Sequence, residues 1–221
     1  MVDVEGVVVQ VQVWSDVVCP WCYIGKRRWD RAVKEWSGGE EVGVLWRAFQ
    51  LDPSFPVGEG RPVLEALAHK MGATVEQARA MTDQVARVAA REGLEYDFEG
   101  GVMVNTFDVH RVLRLAREQG VADRAQEGFM RAQLVEARDL GDADTVVEVA
   151  VGAGLEAERV REVLGGEEYA EQVRQDIDLA RRWGATGVPF FVIDGSVGLS
   201  GAQPVEVMVS ALDKAFGARR G

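Results

Sequence analysis

Residues 7–25 read VVVQVQVWSDVVCPWCYIG. Val9, Val11 and Val13 alternate with Gln10 and Gln12, and β-branched residues at period two predict a strand. The period then changes. Cys22, Trp29, Val33 and Trp36 recur at helical spacing as far as Gly38-Gly39, where glycine ends a helix. Pro20 suits the first helical position, because its missing N–H would have no partner there in any case. Cys19 is therefore the predicted N-cap. A second alternating run from Val42 to Leu51 predicts another strand, and strand, helix, strand with short connections opens an α/β unit.

After Leu51 the character shifts. The loop DPSFPVGEGRP holds three of the six prolines and marks a boundary. Helical patterns then run as Val63–Met71, Val75–Glu92 with Thr74 as N-cap, Thr106–Gln119, Ala122–Arg138, Ala143–Gly152 and Ala157–Leu164. Glycine or a capping Asp or Thr stands at most junctions. A further helix is predicted over Glu167–Trp183. Strand signals return at Pro189–Ile193 and Val197–Leu199 around the turn Asp194-Gly195, a hairpin pattern, and a last helix spans Pro204–Phe216. The economical reading is one α/β domain, residues 1–55 and 167–221, interrupted by an all-helical insertion over 56–166.

Composition narrows the function. The chain has 221 residues, 47% hydrophobic and 28% charged, with a net charge of −11, which describes a globular domain without a basic footprint for nucleic acid or anionic membrane. No apolar run reaches the ~18–20 residues of a spanning helix. Acidic residues stand where a secretory signal needs a basic start, so the expected address is the cytoplasm, with no nucleic-acid and no membrane partner.

The chain has two cysteines, Cys19 and Cys22, too few for a disulfide framework. C-x-x-C between a strand and a helix is the arrangement of a redox-active thiol pair. A thiolate at Cys19 would face the free N–H groups of Trp21 and Cys22 at the positive end of the helix dipole, an environment that lowers a cysteine pKa. Cys22 lies on the stripe of Trp29 and Val33 and should be the more buried. Cys19 is then the exposed sulfur that attacks or is attacked, and Cys22 the resolving thiol. Half of a zinc site is the competing reading, but four ligands are needed and the two histidines, His69 and His110, form no spaced pair. An inert buried pair is the other. No metal is expected.

The second feature is Gly184-Ala-Thr-Gly-Val-Pro189. Proline opening a strand after a glycine loop is a position where a cis X-Pro bond occurs. The alternative is an ordinary trans proline. The C-x-x-C pair at the other end of the same domain favours cis.

Asp16–Gly25, Gly187-Val-Pro-Phe-Phe191 and Ser200-Gly-Ala-Gln-Pro204 together resemble the FrnE-like branch of the DsbA-like thioredoxin-fold oxidoreductases. Asn105-Thr-Phe-Asp-Val-His-Arg111 resembles the helical-domain motif of that branch, with Val109 where alanine is frequent. The likeness runs through the whole chain. It implies a thioredoxin fold split by a helical domain, a redox pair at Cys19 and Cys22, a cis Val188–Pro189 peptide, and thiol–disulfide oxidoreductase or isomerase activity on protein or small-molecule disulfides. No tightly bound cofactor is implied. Glutathione or another external thiol is the expected co-substrate, and a homodimer is compatible with the family. Related glutathione-dependent 2-hydroxychromene-2-carboxylate isomerases and kappa-class transferases typically carry serine at the position of Cys19, so two cysteines favour disulfide exchange. Those isomerases and transferases of aromatic small molecules are one alternative; a redox-regulated binding protein is another.

Two departures matter. The buried carboxylate that thioredoxins place six residues before the first cysteine falls at Val13, leaving Asp16 or water to accept the resolving thiol's proton. The additional C-terminal cysteine pair of some FrnE-like proteins is lacking, so recycling requires another molecule. Pro20 and Trp21 are expected to tune the pair. Trp21 could also meet substrate or pack on the insertion. Asn105 and His110 are candidates for substrate contact across the domain junction. Trp14, Trp29, Trp36, Trp46 and Trp183 read as packing, and Arg27-Arg28 and Arg181-Arg182 as solvated helix faces.

Overall fold

The structure is a computed structural model and describes residues 9–37 and 42–219; the predicted stop at Gly38-Gly39 lies outside the described residues. β1 (Val9–Ser15) leads through a short turn into α1 (Pro20–Glu35), followed by β2 (Val42–Ala48). The chain then runs through β3 (Arg61–Pro62), α2 (Val63–Met71), α3 (Val75–Ala90), β4 (Val102–Met103), α4 (Phe107–Glu118), α5 (Ala122–Leu134), α6 (Ala143–Gly152) and α7 (Ala157–Gly165). It returns through α8 (Ala170–Arg182), β5 (Phe190–Ile193), β6 (Val197–Ser200) and α9 (Val205–Arg219).

The main sheet has the order β2-β1-β5-β6. β1 runs parallel to β2, with Val13 opposite Trp46, and antiparallel to β5, with Val11 opposite Ile193 and Trp14 opposite Phe190. The odd-numbered valines of β1 pack with Trp29, Phe191, Met208 and Leu212 in the layer under α1 and α9. Trp14 and Val192 point to the opposite face, against Ala180 of α8. The end of β1 is therefore covered on both sides, which is why Val13, Trp14 and Ser15 are buried in succession. α4 to α7 form a separate apolar core around Val112, Leu115, Phe129, Val146 and Val160. The architecture is the expected one, a thioredoxin fold interrupted by helices.

Several boundaries differ from the periodic pattern for identifiable reasons. α5 ends at Leu134 rather than Arg138, because the chain turns through Ala137 at φ 51° and the Arg138 N–H returns to the Ala132 carbonyl at 2.8 Å. α8 begins at Ala170 rather than Glu167. The Arg111 guanidinium on α4 gathers the carbonyls of Val163, Gly166 and Glu168, and Tyr169 takes a left-handed φ of 64°. The two-residue strands β3 and β4 were not predicted, since their ladder is too short to carry a period. α3 opens as expected, with a capping box between Thr74 and Gln77. Among the described residues no helix is long and apolar enough to cross a membrane.

Candidate active site

The site forms where β1 ends. The Cys19 N–H donates to the Asp16 carbonyl at 3.1 Å and closes the turn. Cys19 is the N-cap of α1, in extended conformation, with Pro20 as the first helical residue. The expected geometry at the helix start is there, but the sulfur does not accept a capping hydrogen bond. It lies instead 3.4 Å from the Val188 carbonyl oxygen. Cys19 is also only 3% exposed, against the expectation of an open sulfur. The insertion supplies the cover: Ala89, Leu94, Met130 and Leu134 share an apolar cluster with both cysteines. Cys22 is 1% exposed, and both side chains are free thiols. Trp21, between them, is 40% exposed.

Burial, and then the neighbouring Cys19, push the Cys22 thiol well above the ordinary range, while the Asp16 main chain and the Ser15 hydroxyl pull the other way. A buried thiol so placed keeps its proton near neutrality.

The proline loop stands against the helix start. The Val188–Pro189 peptide is cis. The Pro189 carbonyl accepts from the Gly201 N–H at 2.8 Å, and Arg28 donates to the Ala202 carbonyl at 2.6 Å. Gly25 permits the close approach, since a Cβ there would lie 2.8 Å from Pro189 Cγ. Gly25→Ala is accordingly expected to destabilise the protein by about 1–3 kcal/mol through overpacking. Urea unfolding measures this, and an unchanged midpoint would contradict the contact.

Arg27 and Arg28 are not solvated helix faces. Arg27 pairs with Glu127 of α5 at 2.5 Å, and Arg28 with the mostly buried Glu92 at 2.7 Å; Arg31 completes that second pair at 2.6 Å. Tyr23 donates to Glu127 at 2.5 Å. Burial alone would raise the Glu127 pKa, but hydrogen bonds from Tyr23 and Arg27 outweigh it and hold the carboxyl below its usual range. That stabilisation is present above the unfolded carboxylate pKa and fades as pH falls through the folded value. Trp183 departs from expectation too: it is 40% exposed, whereas Trp14, Trp29, Trp36 and Trp46 are buried.

Tyr96 was not anticipated. It donates to the Pro20 carbonyl at 2.7 Å, and its phenol is pushed up by burial and by the nearby Cys19 and Cys22 sulfurs. No local pattern marks it, because residues 91–101 carry no helix or strand. Beside the cysteines a cavity of about 1330 Å³ opens between the α1 start and the α2–α3 pair. Its lining includes Pro20, Trp21, Phe55, Leu67, Val85 and Phe98.

The structure thus brings Cys19, Pro20, Trp21, Cys22, Val188 and Pro189 together. Asn105 is tied elsewhere. Its amide donates to the Phe55 carbonyl at 2.6 Å, and its oxygen accepts from Gln50 and from the Phe107 N–H. His110 is 2% exposed and faces Asp16, its Nε2 3.3 Å from Asp16 Oδ1.

A helix-start dithiol opposed by a cis-proline loop, on a thioredoxin sheet with a helical insertion, defines a thiol–disulfide oxidoreductase class of site. The chain belongs to the DSBA-like thioredoxin domain family, whose model matches residues 10–213. Its structure superposes on a probable DsbA oxidoreductase from Streptomyces coelicolor with a TM-score of 0.91 at 44% identity, over 95% of this chain and 90% of that one. The cytosolic disulfide reductase DsbM from Pseudomonas aeruginosa, solved with glutathione, shares the fold with a TM-score of 0.62 at 20% identity, over 94% of this chain and 99% of that one. The uncharacterized protein YwbO of Bacillus subtilis is 27% identical over 206 residues, 92% of this chain and 96% of that protein. The protein is an oxidoreductase of the DsbA-like type.

Proposed function

We propose that the protein exchanges disulfides through Cys19 and Cys22 in the cytoplasm, acting on protein or small-molecule disulfides with glutathione or a similar thiol as recycling partner. The observation that carries the reading is Cys19 as N-cap of α1 with its sulfur 3.4 Å from the Val188 carbonyl, and Cys22 buried behind it. In the reducing direction the Cys19 thiolate attacks a substrate disulfide. One substrate sulfur leaves as thiolate and the other joins Cys19 in a mixed disulfide. Cys22, after losing its proton, attacks Cys19 Sγ, closes the Cys19–Cys22 bond and releases the second substrate thiolate. The oxidising direction is the reverse. DsbM, a cytosolic reductase solved with glutathione, supports the setting and the co-substrate.

Cys22→Ser removes the resolving sulfur, so the mixed disulfide on Cys19 should accumulate and be seen by mass spectrometry of the intact protein with oxidised glutathione. Absence of any adduct on Cys19 would refute the proposal. The large apolar cavity beside Trp21 favours a second reading, glutathione-dependent isomerisation or transfer on an aromatic small molecule. Turnover with glutathione retained by Cys22→Ser would select it.

A further inference from the structure

The Tyr96 phenol is bonded to the dithiol motif itself, and the exchange steps above give it no part. Its hydroxyl donates to the Pro20 carbonyl at 2.7 Å. The segment around it is neither helix nor strand, yet packing and main chain fix it. The ring stacks on Tyr23 of α1 with centroids 6.4 Å apart, and Phe98 meets it edge-on at 5.5 Å. The neighbouring Asp97 N–H donates to the Leu134 carbonyl of α5 at 2.9 Å. A hydroxyl held in this way on a main-chain carbonyl acts on whatever lies across that peptide.

Across it is the Trp21 N–H. The cis bond among the described residues is Val188–Pro189, so the Pro20–Trp21 peptide is trans and its C=O and N–H point in opposite directions. A helix start leaves its first N–H groups without intrahelical acceptors. Here the Cys19 N–H goes to the Asp16 carbonyl at 3.1 Å and the Cys22 N–H to the Cys19 carbonyl at 3.0 Å, while Pro20 has no N–H. The Trp21 N–H is left over. It stands two residues past the N-cap Cys19, where a capping side chain finds its donor. As a thiol, Cys19 can donate to the Val188 carbonyl, 3.4 Å away. As a thiolate it has no proton to give and needs a donor instead.

We infer that Tyr96 is a positioning residue for the nucleophile: by donating to the Pro20 carbonyl it polarises the Pro20–Trp21 peptide and strengthens the Trp21 N–H as donor to the Cys19 thiolate. Hydrogen bonds in a chain polarise one another in this way, by roughly 10–30% each. The phenol keeps its proton for the task, because burial and then the charges of Cys19, Tyr23 and Cys22 push it up. The consequence for turnover rests on the exchange reading above. The other titratable groups around the pair are Asp16 of the turn, Tyr23 and Arg27 of α1, and Glu127 and Arg131 of α5, which act through Tyr23. Arg28 and Glu92 are paired beside the proline loop. Around the large cavity stand Asp52, Arg61, Glu65, His69, Lys70 and Asp97.

The test titrates the ultraviolet absorbance of the Cys19 thiolate in full-length protein carrying Cys22→Ser, where no second cysteine contributes. At the pH where this parent is half ionised, Tyr96→Phe should lower the ratio of thiolate to thiol about two- to fourfold. Fluorotyrosine in place of Tyr96, whose more acidic phenol is the stronger donor, should raise it. A role in packing alone would move the ratio in neither direction, since both variants keep the ring. With both cysteines present, Tyr96→Phe should shift the equilibrium with glutathione toward the disulfide form, because a less stable thiolate disfavours the reduced pair. An unchanged ratio in folded Tyr96→Phe, or a fluorotyrosine variant that fails to raise it, would overturn the inference. Wild-type protein that exchanges nothing with glutathione would instead remove the exchange reading, and the thiolate titration would still decide the role of Tyr96. Circular dichroism establishes folding, and if Tyr96→Phe does not fold, the fluorotyrosine variant decides alone.

Discussion

Dithiol–disulfide exchange is expected to fall by about 10³-fold or more, to the uncatalysed level, when Cys19 is replaced by serine, because loss of the nucleophile leaves only binding. The hydroxyl would occupy the same N-cap and could still meet the Val188 carbonyl, so the fold should survive. What disappears is the sulfur that enters the mixed disulfide. Cys22 cannot substitute for it. It lies one turn inside α1 rather than at the N-cap, and burial and the neighbouring Cys19 hold its thiol protonated. Insulin reduction driven by a thiol, compared between wild type, Cys19→Ser and Cys22→Ser, measures the effect. Undiminished turnover in Cys19→Ser would refute the assignment of the nucleophile.

The largest expected loss of stability lies away from the cysteines, at Asp176. Its carboxylate joins α8 to β2 through Arg47 and the Ala48 N–H, and to α4 through Arg114; its own carbonyl accepts from Trp14 Nε1 at 2.8 Å. Arg117 stands close by. Its pKa is lowered by burial and then by the charges of Arg114 and Arg47, an effect that Asp176 offsets. Asp176→Ala would leave these mostly buried guanidinium groups facing one another without their acid. Removing one partner of a buried ion pair costs about 3–5 kcal/mol, and for a chain of this size each kcal/mol lowers Tm by roughly 2–4 °C. A fall of roughly 6–20 °C follows from the two ranges. Asp176→Asn, which keeps an acceptor for the Ala48 N–H, should lose less. Calorimetry of both variants checks the order, and a smaller loss in alanine than in asparagine would contradict it.

Much of the fold was legible because it is local. Valine alternation in β1, the glycine and capping-residue junctions of α2 to α7 and the Asp194-Gly195 turn are short-range features. What was missed depended on one distant side chain or a turn without period. The start of α8 shifted because Arg111, far earlier in the chain, draws three carbonyls out of helical register. Arg27 and Arg28 looked solvated because their partners, Glu127 and Glu92, lie at separations of 100 and 64 residues. The polar face of α1 is therefore a seam with the insertion.

The same division holds at the candidate site. The sequence by itself determined the order of parts: a strand, a dithiol at a helix start opened by Pro20, and a proline loop at the far end of the domain. Those are matters of φ restriction, missing donors and period, and they act within a few residues. Only the tertiary structure decided how covered the cysteines are, since Ala89, Leu94, Met130 and Leu134 come from the insertion. It alone set His110 against Asp16. His110, a candidate for substrate contact, lies 3.3 Å from the carboxylate of the buried Asp16, because α4 packs behind the end of β1.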